Sequence, residues 1–246
     1  MRHLRMTIEY DGTGYKGWQR QSEGTTIQQV LEETLGRVTG EKVTLHGSSR
    51  TDAGVHALNQ VAHFRTSSTI PERNLLMGLN SLIPRDIVIR DLTEADESFH
   101  ARYSARSKTY FYRIFNSDIR TALHRNYCWF VFKPLDVAGM AEAAAALEGV
   151  HDFSAFCSVQ TDVKSRVREI YDTRLEREGG SFLRFHIEAN GFLRHMVRTI
   201  VGTLVDVGKG KLTPADFREI LESRDRKRAG VTAPPQGLFL SEVKYE

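Results

Sequence analysis

Between residues 5 and 92 the spacing of apolar side chains switches repeatedly between a period of two and a period of about 3.6 residues, and this order limits the folds open to the chain more than any single motif. "RMTIEY" alternates Met6, Ile8 and Tyr10 on one face, as a half-buried strand does. Thr26 and Gln29 then form a capping-box pattern, and Ile27, Val30, Leu31, Leu35 and Val38 recur at helical spacing until Gly40. "KVTLHG" and "NQVAHFRT" read as short strands. "PERNLLMGLNSLIP" places Leu75, Leu76, Leu79 and Leu82 on one helical face between prolines, and "DIVIRDL" reads as a further strand. The order is β-α-β-β-α-β, the split β-α-β unit.

The same order returns downstream. "KTYFYRIF" reads as a strand and "LDVAGMAEAAAALEG" as a helix opened by Asp136. "VREIYDTRLE" and "SFLRFHIEA" are strands joined at Glu178-Gly179-Gly180. "FLRHMVRTIVGTLVDVG" predicts a helix, "TPADFREILESR" a second helix with Thr213 as cap and Pro214 at its first position, and "GLFLSEVKY" a last strand. The class expected is α+β, with two halves over residues 1–103 and 104–246, antiparallel sheets covered by helices on one face, and a ligand cleft where the halves meet. No repeated sequence accompanies the repeated pattern.

A chain of 246 residues suffices for two such cores. Its formal net charge is only +3, but 25 arginines stand against 9 lysines, and arginine is the planar, bidentate phosphate binder. Arg102, Arg106, Lys108 and Arg113 alternate with Tyr103, Tyr110, Phe111 and Tyr112, and Arg224, Arg226, Lys227 and Arg228 form a run suited to a polyanion. The two cysteines, Cys128 and Cys157, lack the spacing of a zinc site or a disulfide framework. The N-terminus has no apolar signal core and no stretch approaches a membrane span, so a soluble, cytoplasmic protein is expected.

"GTGYKG" matches the spacing of a dinucleotide-binding loop, but no helix follows Gly17 and no ribose-binding acid closes the next strand, so a plain glycine-rich loop is expected there. No histidine array has metal-ligand spacing, and His56 and His63 read as ordinary polar positions. No serine or cysteine nucleophile has its activating context, which leaves carboxylates as the catalytic candidates. Asp52, in "HGSSRTDAGVHALNQ", has two readings. Asp-x-Gly suits a tight turn with Gly54 at positive φ. Arg50 two residues before it and His56 four after, on a loop between strands, suit a displayed reactive group.

The blocks "YDGTGYKGWQRQ", "GSSRTDAGVHALNQVAHF", "SARSKTYFYRI", "HDFSAFC", "NGFLRHMVRTIVGTLVDVG" and "APPQGLFL" together resemble the TruA-type tRNA pseudouridine synthases, in that family's order and over essentially the whole chain. The resemblance implies two ferredoxin-like halves, a homodimer, and conversion of uridine to pseudouridine at tRNA positions 38, 39 and 40 in the anticodon stem-loop, with no cofactor and no metal. By resemblance Asp52 is the catalytic carboxylate, acting as nucleophile or as base. Arg198 is its cationic partner; for it and for Arg194, one turn earlier on the same face, the alternative is a phosphate contact or a solvated helix position. Tyr110 is the ring that stacks on the uracil, its hydroxyl assisting proton transfer at C5. Tyr103 and Tyr112 are expected to be structural. Arg50 is placed either to fill the gap left by the flipped base or to contact a phosphate, and Arg106 and Arg226 to contact phosphates. The competing reading is a non-catalytic RNA-binding protein that displays "TYFYRIF" as a stacking platform. Asp52 separates the two, because a carboxylate in a phosphate-rich site repels a ligand that is merely bound.

Overall fold

The computed structural model describes residues 1–158 and 163–245. The chain forms two compact units, Met1–Arg106 together with Phe239–Glu246, and Ser107–Leu238. The class is α+β: the described residues contain five α-helices and ten strands, mostly antiparallel.

In the first unit, β1 (Arg2–Tyr10), α1 (Ile27–Thr39), β2 (His46–Gly47), β3 (His56–Thr66), α2 (Glu72–Leu82) and β4 (Ile87–Glu94) follow the expected order. The strands lie in the order β4-β1-β3-β2, every pair antiparallel, which is the ferredoxin-like arrangement. Alternate residues of β1 make the core: Leu4, Met6 and Ile8 are fully buried and Tyr10 nearly so. Against them α1 buries Ile27, Leu31 and Leu35, and α2 buries Leu75 and Leu79. Each such side chain is worth about 1.5–3 kcal/mol. Thr26 Oγ1 accepts the Gln29 N–H, and Gly40 closes the helix in the left-handed conformation at φ 74°. Only that half of the capping box forms, since the Gln29 side chain turns to Glu33 instead.

The predicted strand "KVTLHG" shrinks to two residues. Leu45 finds its backbone partners on a helix: Glu32 Oε1 accepts its N–H at 3.0 Å and Gln28 Nε2 donates to its carbonyl at 2.9 Å. β3 in turn begins three residues before the expected Asn59, at His56.

In the second unit, β5 (Ser107–Asn116), α3 (Val137–Ala145), β8 (Val167–Gly179), β9 (Phe182–Ala189), α4 (Met196–Gly208) and α5 (Pro214–Ser223) match expected segments. Two short strands were not expected, β6 (Trp129–Val131), parallel to the end of β5, and β7 (Gly149–Asp152), antiparallel to β8. The sheet runs β5-β9-β8-β7. α5 carries the complete capping box of Thr213 and Asp216. α4 starts four residues later than the predicted Phe192, because His195 adopts a left-handed φ of 64° and interrupts the helical run. Of its 13 residues all but Arg198 and Asp206 are buried, so its backbone is the centre of this unit's core.

The last strand, β10 (Leu238–Lys244), runs parallel to β3, with Phe239 opposite His56 and Leu240 opposite Ala57. Among the described residues no helix is long and apolar enough to cross a membrane.

Candidate active site

Asp52 to Val55 is a tight turn: the Val55 N–H donates to the Asp52 carbonyl at 3.1 Å and Gly54 sits at φ 77°. The turn reading of Asp-x-Gly is therefore correct as local structure. What surrounds the turn goes beyond it. The Trp18 N–H donates to the Thr51 carbonyl at 3.1 Å and the Gly54 N–H to the Tyr15 carbonyl at 3.3 Å. Tyr10 and Thr51 share a buried hydroxyl hydrogen bond of 2.7 Å. Upstream, Ser48 Oγ donates to Gln60 Oε1 at 2.7 Å, and Gln60 Nε2 donates to the Ser49 carbonyl at 2.8 Å. Thr51, Ser48 and Gln60 are all buried. Hydrogen bonds to Ser48, Ser49, Thr51 and Gly54 thus tie down the loop on both sides of Asp52, which is itself half-buried.

The glycine-rich stretch at residues 12–17 is the back wall of this loop. A Cβ on Gly12 would lie 2.0 Å from the Val55 carbonyl oxygen, and one on Gly17, at φ 90°, would lie 2.5 Å from the Thr51 carbonyl oxygen. Backbone meets backbone there with no room for a side chain. His56 and His63 are not ordinary polar positions, being only 1% and 7% exposed. His56 Nδ1 accepts the Gly12 N–H at 3.1 Å, and its ring stacks on Phe239 with centroids 4.6 Å apart. His63 Nδ1 accepts the Ala101 N–H at 3.0 Å, and burial together with neighbouring His100, His46 and His3 pushes its pKa down to about 4.

In the second unit Tyr110 sits on β5 opposite Ile187, buried, with its ring edge-on to Phe192 at 5.0 Å. Phe192 was not singled out from the sequence, although it stands in the "NGFLRH" block. Tyr112 donates its hydroxyl to the Pro234 carbonyl at 2.7 Å and is structural, its ionisation pushed up by burial. Tyr103 is not packed away: it is 76% exposed, against His100 with ring centroids 4.3 Å apart.

The arginines divide. Arg198 is half-buried on α4, its Nε donating to the Ala233 carbonyl at 2.8 Å, while the Ala233 N–H donates to the Arg198 carbonyl at 3.0 Å. Arg194 is exposed but lies in the turn before α4, so the two do not share a helical face. Arg50 and Arg106 are exposed. Arg113 donates to Glu178 at 2.8 Å, and Arg228 to Glu219 at 3.2 Å. Arg226 spends its guanidinium on the chain just ahead of it, donating to the carbonyls of Ala229 and Gly230 and to Thr232 Oγ1.

The family model for tRNA pseudouridine synthase matches residues 6–104 and 143–246. The chain belongs to the tRNA pseudouridine synthase family. It is 49% identical over 245 residues to "tRNA pseudouridine synthase A" of Thermoanaerobacter sp. (strain X514), with 100% of each chain covered. It is 50% identical, again with full coverage of both, to the proteins of that name from Caldicellulosiruptor bescii and Acetivibrio thermocellus. As a tRNA pseudouridine synthase it is an isomerase that modifies tRNA. Arg50, Asp52, Arg194, Arg198 and Arg226 lie inside the residues that the family model matches, and Arg106 and Tyr110 in the interval between the two matched segments.

Proposed function

We propose that this enzyme isomerises uridine to pseudouridine at tRNA positions 38, 39 and 40 in the anticodon stem-loop, as a cytoplasmic homodimer, with Asp52 as the catalytic carboxylate and Tyr110 and Arg198 serving the same uridine. The observation that carries the reading is the Asp52 turn, a half-buried aspartate in a loop tied down by hydrogen bonds to Ser48, Ser49, Thr51 and Gly54. The reaction breaks the bond between uracil N1 and ribose C1′ and joins C5 to C1′. C5 loses its proton and N1 gains one, so substrate and product have the same atoms. A carboxylate serves as nucleophile or as base in such a step, and a fixed turn holds it within attack distance at low entropic cost. The target base must leave its stack first, at about a few kcal/mol; Arg50, exposed two residues from Asp52, fills the gap.

The direct test is to incubate the purified enzyme, without added cofactor, with tRNA tritiated at uracil C5 and to follow tritium release. Release confined to the proposed positions supports the reading. A protein that binds tRNA tightly and releases no tritium from competent substrates is a binder, and the catalytic assignment of Asp52 falls.

Tyr110→Phe keeps the ring and removes only the hydroxyl. Binding is expected to survive, because base stacking is worth about 1–3 kcal/mol whichever ring supplies it, while product formation falls sharply. Normal turnover would leave Tyr110 a stacking role alone.

Arg106→Ala removes an exposed cation. Each lost phosphate contact is expected to reduce the slope of log affinity against log salt by about 0.7–0.9, with turnover at saturating tRNA little changed. A wild-type slope would take Arg106 off the RNA path.

A further inference from the structure

Residues 229–233 cross α4 as a strap with no clearance. A Cβ on Gly202 would lie 1.7 Å from the Val231 carbonyl oxygen, and one on Gly230 would lie 3.0 Å from the Gly202 backbone. Thr203 Oγ1 accepts the Gly230 N–H at 2.9 Å, and Thr232 Oγ1 meets Thr199 Oγ1 at 3.4 Å. At the strap's far end Ala233 forms a reciprocal pair with Arg198: its N–H donates to the Arg198 carbonyl at 3.0 Å and its carbonyl accepts Arg198 Nε at 2.8 Å. A guanidinium bonded at Nε has its plane set, and with it the direction of its two terminal nitrogens.

Arg226 grips the near end of the same strap. It donates to the Gly230 carbonyl and to Thr232 Oγ1, both at 3.1 Å, and more distantly to the Ala229 carbonyl at 3.4 Å. Three acceptors within four residues of chain engage a planar fork that a lysine does not match. The guanidinium is therefore turned inward along the strap, which is poor geometry for a phosphate contact.

We infer that Arg226 is a positioning residue for the reaction: it holds the 229–233 strap against α4 so that the Ala233 carbonyl orients the Arg198 guanidinium. This rests on the proposed role of Arg198 in the chemistry. Freed of Arg226, the strap keeps its contacts to Thr203 and Thr199 but loses the guanidinium that ties the Gly230 carbonyl to Thr232 Oγ1, and the adjacent Ala233 carbonyl shifts.

The test compares Arg226→Ala, Arg226→Lys, Arg198→Ala and the double variant, reading the single-turnover rate at saturating tRNA, the tRNA affinity and its salt slope, with thermal unfolding as a fold check. Arg226→Ala is expected to slow the single-turnover step by roughly ten- to a hundredfold, the scale of a modest misplacement of a reacting group, with affinity and salt slope unchanged. Arg226→Lys should recover part of the rate. The double variant should be no slower than Arg198→Ala, since residues acting through one another are not additive. A normal single-turnover rate with weaker binding and a flatter salt slope makes Arg226 a phosphate contact and overturns the inference. So do multiplicative effects in the double variant, which mean that Arg226 acts independently of Arg198. Should Arg226→Ala fail to fold, Arg226→Lys decides: a folded Lys variant at wild-type rate overturns the inference. If Arg198→Ala is slow and Arg226→Ala is not, only the positioning role fails; if Arg198→Ala itself runs at wild-type rate, the role of Arg198 fails and the inference with it.

Discussion

Asp52→Asn is expected to fold and bind tRNA like the wild type and to lose pseudouridine formation by roughly a hundred- to ten-thousandfold or more, the range supplied by a positioned proton-transfer group. The fold survives because what closes the turn is backbone: the Val55 N–H donates to the carbonyl of residue 52, and asparagine suits the first position of a turn as well as aspartate does. Chemistry does not survive, because an amide is neither nucleophile nor base. Tritium release from C5-labelled tRNA, read beside binding by filter retention, separates the two. Turnover within tenfold of wild type would mean that another carboxylate carries the reaction. A collapse in thermal stability would mean that the side chain serves the loop rather than the substrate.

Arg198→Ala is expected to behave as a chemistry variant. A carboxylate moved out of water needs a fixed cation to remain ionised, and a charge-assisted hydrogen bond of that kind is worth about 1.5–3 kcal/mol, which corresponds to about ten- to a hundredfold in rate. Arg198→Lys should recover only part of this, for a reason visible in the second unit. Arginine donates Nε to the Ala233 carbonyl and still directs two terminal nitrogens elsewhere, whereas an ammonium that bonds the Ala233 carbonyl has no fork left to aim. Single-turnover rates at saturating tRNA are the measurement. A normal rate with weaker binding would assign Arg198 to the RNA backbone instead.

The basic residues illustrate how type and exposure part company. Arg106 and Arg226 look alike in sequence, each in a cationic stretch. In the structure Arg106 is exposed, while Arg226 turns its guanidinium onto its own chain. Charge patterning registers that a cation is present; which acceptors come within hydrogen-bond reach of it depends on how the following residues fold back. Arg194 shows the same gap. Four residues before Arg198, it belongs on the same helical face only if the helix continues, and the left-handed φ of His195 ends the helix between them.

The elements that the sequence by itself determined are those whose causes are local. The period-two burial of β1, the caps at Thr26, Asp136 and Thr213 and the left-handed stop at Gly40 all arise within a few residues, so pattern and chemistry coincide. The Asp-x-Gly turn of the "RTDAGVH" block was legible for the same reason. The tertiary structure alone decided that the glycines at 12 and 17 form the wall behind that turn, that the Leu45 backbone is satisfied by α1 instead of a longer β2, and that β10 returns to pair with β3. Each of these joins residues from more than ten to nearly two hundred positions apart. A local period sets which face of an element is apolar, but the partner that covers that face, and the backbone groups left to bond there, are selected only when the whole core packs.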